Sequence, residues 1–283
     1  MPGVIRREER HVRAGGEREI FSRSWLPDDP TASALLVHGF AEHSGRYEEV
    51  ATWLASRGVA VHAFDHQGHG RSSGRRCYVR RFSDLLDDTE QALARARSVH
   101  PGLPLFVVGH SMGGLITATL AVERKPEVSG YVTSGAALAA PAAMSRARRW
   151  LLRALRRIAP TLSFASGLDP EGLSTDPAVV RAYLEDPLVE RRITTSLAAE
   201  LFATMERTSR RASEVTAPLL ALHGEDDPIC PPSGSRAFAA ATPGGRYLGF
   251  LGMRHEIFNE PGRESVFESM GEWLRETSSR NRP

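Results

Sequence analysis

The chain has 283 residues, 41% apolar and 25% charged, enough to bury a full core as one domain carrying an insertion. Its 36 basic residues, all arginine except Lys125, nearly balance 34 acidic ones, and with no segregated basic face or recognition motif a nucleic-acid partner is disfavoured. Cys77 and Cys230 supply neither a disulfide framework nor a zinc-ligand pattern. The polar stretch Met1 to Glu19 carries no secretory signal, and no apolar run reaches the roughly 20 residues that span a bilayer, so a soluble, cytoplasmic protein is expected.

From about Glu19 to Ser134, short apolar runs alternate with amphipathic stretches, which predicts an α/β fold: a mostly parallel sheet with helices on both faces. Strands are expected at Ala34 to Val37, Val59 to Phe64, Leu105 to Gly109 and Gly130 to Thr133. Helical spacing runs over Glu48 to Arg57, Asp84 to His100 and Met112 to Arg124. Ser83 is placed to cap the middle helix, whose first turns carry Asp84, Asp87 and Asp88. The rhythm breaks from Ala139 to about Arg211, where Pro160, Pro170, Pro177 and Pro187 interrupt irregular helices. This reads as an inserted cap, 139–211, on a core made of 1–138 and 212–283, with the alanine-rich Ala136 to Ala143 as the hinge. Strand character returns at Pro218 to His223 and Arg246 to Phe250, with helices near Ser233 to Ala241 and at Arg263 to Glu276.

The chemistry concentrates in Gly109-His110-Ser111-Met112-Gly113, which follows an apolar strand and opens a helix, the context of a nucleophile elbow. Glycine two residues either side lets the neighbouring backbone pass close to a strained serine, and the helix start aims its dipole at a developing oxyanion. A serine hydroxyl needs a histidine to take its proton and a carboxylate to orient that histidine, expected in the order acid, then histidine. The loop Gly224-Glu225-Asp226-Asp227-Pro228 offers three acids. Asp227 is preferred because the chain first turns at Gly224 and is fixed by Pro228; Asp226 is the runner-up, and Glu225 and Asp226 are read as capping the next helix. His255, in Gly252-Met253-Arg254-His255-Glu256, is the histidine lying well after that loop. Backbone N–H groups of Phe40, in the loop after an early strand, and of Met112 complete the expected oxyanion hole.

With those pieces in place, the chain resembles the monoacylglycerol lipases of the α/β-hydrolase superfamily. The resemblance is carried by His38-Gly39-Phe40-Ala41-Glu42-His43-Ser44-Gly45-Arg46-Tyr47, Phe64-Asp65-His66-Gln67-Gly68-His69-Gly70-Arg71-Ser72, the Ser111 elbow, and Arg254-His255-Glu256-Ile257. It implies an α/β-hydrolase fold, hydrolysis of a lipid ester by Ser111, Asp227 and His255, and no metal or organic cofactor. It also implies glycerol-end contacts at Glu42 and Arg46, which as polar groups beside the oxyanion loop can bond free hydroxyls; the alternative is that they pair with one another to fix the loop. A lysophospholipase or general carboxylesterase would share the triad, and a non-catalytic binding member of the fold would break it.

Three features remain beside this reading. His62, His66 and His69 suggest a metal site, but Gly68 and Gly70 make the segment a turn, and Asp65 is expected to shape it. Cys230 lies three residues past Asp227, close enough for a thiol reagent to block the site, and otherwise a passive loop residue. In Ser145 to Ile158 the arginines at 146, 149, 153, 156 and 157 share one helical face, opposite Leu151, Leu152, Leu155 and Ile158. Such a helix either lies on an anionic membrane surface and admits substrate, or packs its leucines on the core and leaves arginine in water.

Overall fold

The computed structural model describes residues 4–12, 18–141 and 144–280. Ten strands and eight α-helices follow in chain order: β1 (Val4–Val12), β2 (Glu19–Pro27), β3 (Ala32–Val37), α1 (Glu48–Ala55), β4 (Val59–Phe64), α2 (Ser83–Val99), β5 (Leu105–His110), α3 (Met112–Glu123), β6 (Gly130–Ser134), α4 (Arg146–Ile158), β7 (Ser163–Ala165), α5 (Pro177–Glu185), β8 (Arg192–Thr194), α6 (Thr195–Ser209), β9 (Leu219–Gly224), α7 (Pro232–Ala241), β10 (Arg246–Phe250) and α8 (Arg263–Arg280). Eight strands form one sheet in the order β1-β2-β4-β3-β5-β6-β9-β10. Every neighbouring pair from β4 to β10 is parallel, while β2 runs antiparallel to both β1 and β4.

The central strands are apolar throughout because both faces of the sheet are covered. Leu35 and Val37 of β3, Leu105 and Val107 of β5, and Leu219 and Ala221 of β9 point into one core with α2 and α3. Their alternates Ala34 and Leu36, Phe106 and Val108, Leu220 and Leu222 point into the other, with α1 and α8. α3 shows no one-sided pattern because it is buried on every side from Met112 to Val122.

The fold expected from the sequence is present, with corrections. Ser83 does not cap α2: it is that helix's first residue, and the Arg81 N–H instead bonds Asp84 Oδ2 at 3.1 Å. The hairpin β1–β2 was not foreseen, because β1 is polar on both faces and carries no period-two apolar signal. Between β6 and β9 the chain leaves the sheet and forms α4, α5 and α6 together with the two-stranded antiparallel pair β7–β8, also unforeseen. Its prolines mark element boundaries: Pro177 opens α5 and Pro187 follows it. Of the expected hinge, Ala142 and Ala143 lie outside the described residues. Among the described residues, no helix is long and apolar enough to cross a membrane.

Candidate active site

The parallel strands β5, β9 and β10, with β6 between β5 and β9, end along the same C-terminal edge of the sheet, and the loops that follow them carry Ser111, Asp227 and His255. Ser111 stands between β5 and α3 with φ 55° and ψ −116°, a backbone that a residue with a Cβ adopts only when its surroundings enforce it. Those surroundings are the Ser111 N–H bond to the Ser134 carbonyl, 2.9 Å, and the two glycines. A Cβ on Gly113 would lie 2.0 Å from the Val37 carbonyl oxygen, and one on Gly109 2.2 Å from that of Gly113. No side chain fits at either place, so the spacing of the motif is a packing requirement of the turn.

His255 is 2% exposed, and its Nδ1 meets Asp227 Oδ2 at 2.7 Å. Burial alone would lower its pKa, but the charge and hydrogen bond of Asp227, helped by Glu256 and Glu42, raise it above the ordinary histidine value. Burial opposes ionisation of Asp227 too, yet His255, His223 and the Cys230 N–H hold its carboxyl well below the usual range. Of the three acids in this loop Asp227 is the one that meets His255, and it is buried while Asp226 is exposed. Neither Glu225 nor Asp226 caps α7, contrary to expectation; no side chain caps that helix, and Glu225 bonds Arg236 at 2.7 Å and Tyr247 at 2.9 Å.

Sequence reasoning missed two histidines. His223, fully buried on β9, directs Nε2 at Asp227 Oδ2, 3.0 Å, and at the Cys230 carbonyl, 2.9 Å, while its Nδ1 meets Ser235 Oγ at 2.8 Å. Two acceptors at Nε2 make that nitrogen the donor, so His223 steadies the carboxylate from behind. Its position one residue before Gly224, at the end of an apolar strand, was the available signal. His110 packs its ring 4.8 Å from that of His255, and burial together with His255 pushes its pKa down to about 4, making it a neutral wall.

The loop after β3 approaches Ser111 from the other side. Ala41 is left-handed at φ 69°, and its carbonyl accepts from the Glu190 N–H at 2.9 Å. Neither the Phe40 nor the Met112 N–H bonds a described protein group; Met112 directly follows the serine, and a Cβ on Gly39, the residue before Phe40, would lie 3.1 Å from the Ser111 Cβ. Glu42 Oε1 accepts from the Gly39 N–H and the Tyr47 hydroxyl, each at 2.6 Å, and Oε2 accepts from Arg46 at 3.2 Å. Arg46 also grips Glu256 with both terminal nitrogens, at 2.5 and 2.9 Å. Burial works against the Glu42 charge, but Arg46, His110 and His38 outweigh it and bring its pKa down to about 2. Glu42 and Arg46 therefore do pair, and through Glu256 the pair joins the oxyanion loop to the histidine loop.

The remaining candidates sort by contact. Asp65 shapes its turn by accepting from the Ser44 N–H and the Arg71 N–H, both at 2.8 Å. His66 meets the His38 ring edge-on and His69 meets it at a tilt, whereas His62 packs near His100; among the described residues no cluster of ligating side chains could hold a metal ion. Cys230 is buried, and that burial, then the Asp227 charge, raises its thiol pKa well above the ordinary value and keeps it protonated.

A strained serine between strand and helix, with an imidazole and a carboxylate presented by neighbouring loops of one sheet edge, defines an α/β-hydrolase. A family model described as serine aminopeptidase, S33, matches residues 28–262. The chain is 36% identical over 278 residues to a monoacylglycerol lipase of Mycolicibacterium smegmatis, covering 97% of this chain and 99% of the relative. It is 30% identical to phospholipase YtpA of Bacillus subtilis, covering 87% and 96%. The crystal structure of Paleococcus ferrophilus monoacylglycerol lipase matches with a TM-score of 0.81 at 33% identity, covering 97% and 99%. The chain belongs to this S33 hydrolase family, among the members related to monoacylglycerol lipases.

Proposed function

We propose that the protein hydrolyses monoacylglycerol to fatty acid and glycerol through an acyl-enzyme. The observation that carries the reading is the 2.7 Å His255–Asp227 pair set beside a serine in a strained strand-to-helix turn. Ser111 Oγ turns toward His255 Nε2, gives up its proton there and attacks the ester carbonyl. The Phe40 and Met112 N–H groups meet the oxyanion, glycerol leaves with the proton from His255, and water repeats the sequence on the acyl-enzyme. Asp227 holds the imidazole tautomer and balances its transient charge. Glu42 and Arg46 receive the free hydroxyls of the glycerol end while keeping the loop in place.

In this reading residues 139–211 act as a cap, and α4 is its lipid-facing helix. The apolar residues Trp150, Leu151 and Ile158 stand exposed, while Arg153 and Arg156 turn to Glu206 and Glu200. The helix thus docks through arginines and presents part of its apolar face outward, which suits transient contact with a membrane or micelle. The same reading assigns the protein to the cytoplasm, and two free, buried cysteines support that assignment.

The relation to a phospholipase supports one rival, a lysophospholipase using the same serine. A substrate panel at matched acyl chains separates the two. Monoacylglycerol is expected to turn over faster than lysophospholipid and triacylglycerol; equal rates would remove the substrate assignment. Labelling by a fluorophosphonate, abolished in Ser111→Ala, tests the nucleophile independently.

A further inference from the structure

Beneath α4 lies a cavity of about 520 Å³ whose wall includes Arg80, Arg153, Arg156 and Arg157 with Tyr78 and Ser196. Arg80 comes from the segment between β4 and α2, and the other arginines from α4, so two distant stretches of chain bring like charges around one concavity. Two of the four are compensated. Arg156 bonds Glu200 at 2.7 Å and the Arg80 carbonyl at 3.0 Å, and Arg153 reaches Glu206 at 3.3 Å, a carboxylate that Arg210 also takes at 2.6 Å. Arg80 and Arg157 are exposed and have no carboxylate partner among the described residues. Guanidinium groups gathered this way repel one another until an anion enters, and their planar forks match the oxygens of a phosphate.

The surroundings of the cavity identify where that phosphate comes from. On α4 and just beyond it, Ile158 is 83% exposed, Trp150 69% and Leu162 51%. A free phosphate would satisfy the arginines and leave this ridge in water. A bilayer with anionic headgroups covers both at once, the ridge entering the acyl region and the arginines reaching the headgroup level.

We propose that the arginine cavity beneath α4 binds the phosphate of an anionic phospholipid, docking the cap on an anionic bilayer. The inference rests on the lipid-facing reading of α4 and adds to it a headgroup site built jointly by cap and core.

Flotation with vesicles of phosphatidylcholine alone, and of an equal mixture with phosphatidylglycerol, tests it on the full chain. The unaltered protein is expected to favour the anionic vesicles by about tenfold or more. The double variant Arg80→Gln/Arg157→Gln loses most of that preference and keeps its partition onto neutral vesicles. Arg275→Gln/Arg280→Gln on α8, which removes the same charge outside the cap, retains the preference, and melting curves check that both variants fold. A double variant that floats like the unaltered protein, or a control that loses as much, overturns the headgroup site. Equal binding to both vesicles overturns the headgroup site and leaves the lipid-facing helix standing; binding to neither overturns both. Arginine-dependent uptake of inorganic phosphate without vesicle binding would make the cavity a site for soluble anions and also overturn the proposal.

Discussion

At the sheet edge Asp227 is 7% exposed and accepts hydrogen bonds from His255, His223 and the N–H groups of Ile229 and Cys230, whereas α4, 13 residues long, buries none of its residues. The two regions manage charge in opposite ways. Around Ser111 each ionised group is fixed by several partners inside low-dielectric surroundings, so moving one atom disturbs all of them. Along α4 arginines are held by surface carboxylates, contacts typically worth about 0–1 kcal/mol each, and the apolar residues stay outside. Chemistry needs the first arrangement, and the second leaves an apolar ridge facing outward.

The contrast breaks most sharply at the nucleophile. Ser111→Ala is expected to lower kcat by about 10⁵-fold or more, with an unchanged melting temperature, measured on a soluble ester. Asp227→Asn should cost about 10⁴-fold in kcat, since the imidazole loses its enforced tautomer. Its pH profile carries a sign. His255 works when neutral, so its raised pKa sets the acid limb of kcat/KM above the ordinary 6.5; without the Asp227 charge, burial prevails and the limb moves to lower pH. An unmoved limb would show that Asp227 does not tune His255.

Glu260 tests how far the rigid region extends. Fully buried, it accepts from Ser174 Oγ, the Thr175 N–H and Thr175 Oγ1 through one oxygen, and from the Arg254 N–H at 2.6 Å through the other. Glu260→Ala should lower unfolding stability by about 3 kcal/mol in urea, because several buried donors lose their acceptor. A smaller effect comes from His223→Gln, expected to reduce kcat by about tenfold and to move the acid limb, which a purely structural role would leave in place. Smallest is Ile158→Ser: its 83% exposure predicts a stability change within about 0.5 kcal/mol, together with weaker partition onto vesicles. A large loss of stability there would mean that α4 is packed after all.

Legibility in the sequence followed the same division. The Ser111 elbow could be read because its glycines answer to backbone collisions, which local spacing encodes; the order of Asp227 and His255 followed from one connection per strand along the sheet edge. The Arg46–Glu256 link was not legible, since it joins residues 210 positions apart across loops, whereas His223 stands only four residues before Asp227 and was missed because an apolar strand end does not show where its side chain turns. The β1–β2 hairpin escaped because a strand with two polar faces has no period to detect, and Ser83 failed as a cap because the helix already begins at Ser83, one residue earlier than expected.

By itself the sequence determined the central strands and helices and the strand-to-helix turn at Ser111, because those answer to short-range periodicity and to turns only glycine permits. Tertiary structure decided which of three adjacent acids faces His255, how Glu42 and Arg46 spend their hydrogen bonds, and which face of α4 looks outward. For α4 the sequence supplied an amphipathic helix with two possible placements. Only the carboxylates of α6, positioned by the rest of the fold, hold Arg153 and Arg156 of α4, while Trp150, Leu151 and Ile158 stay exposed.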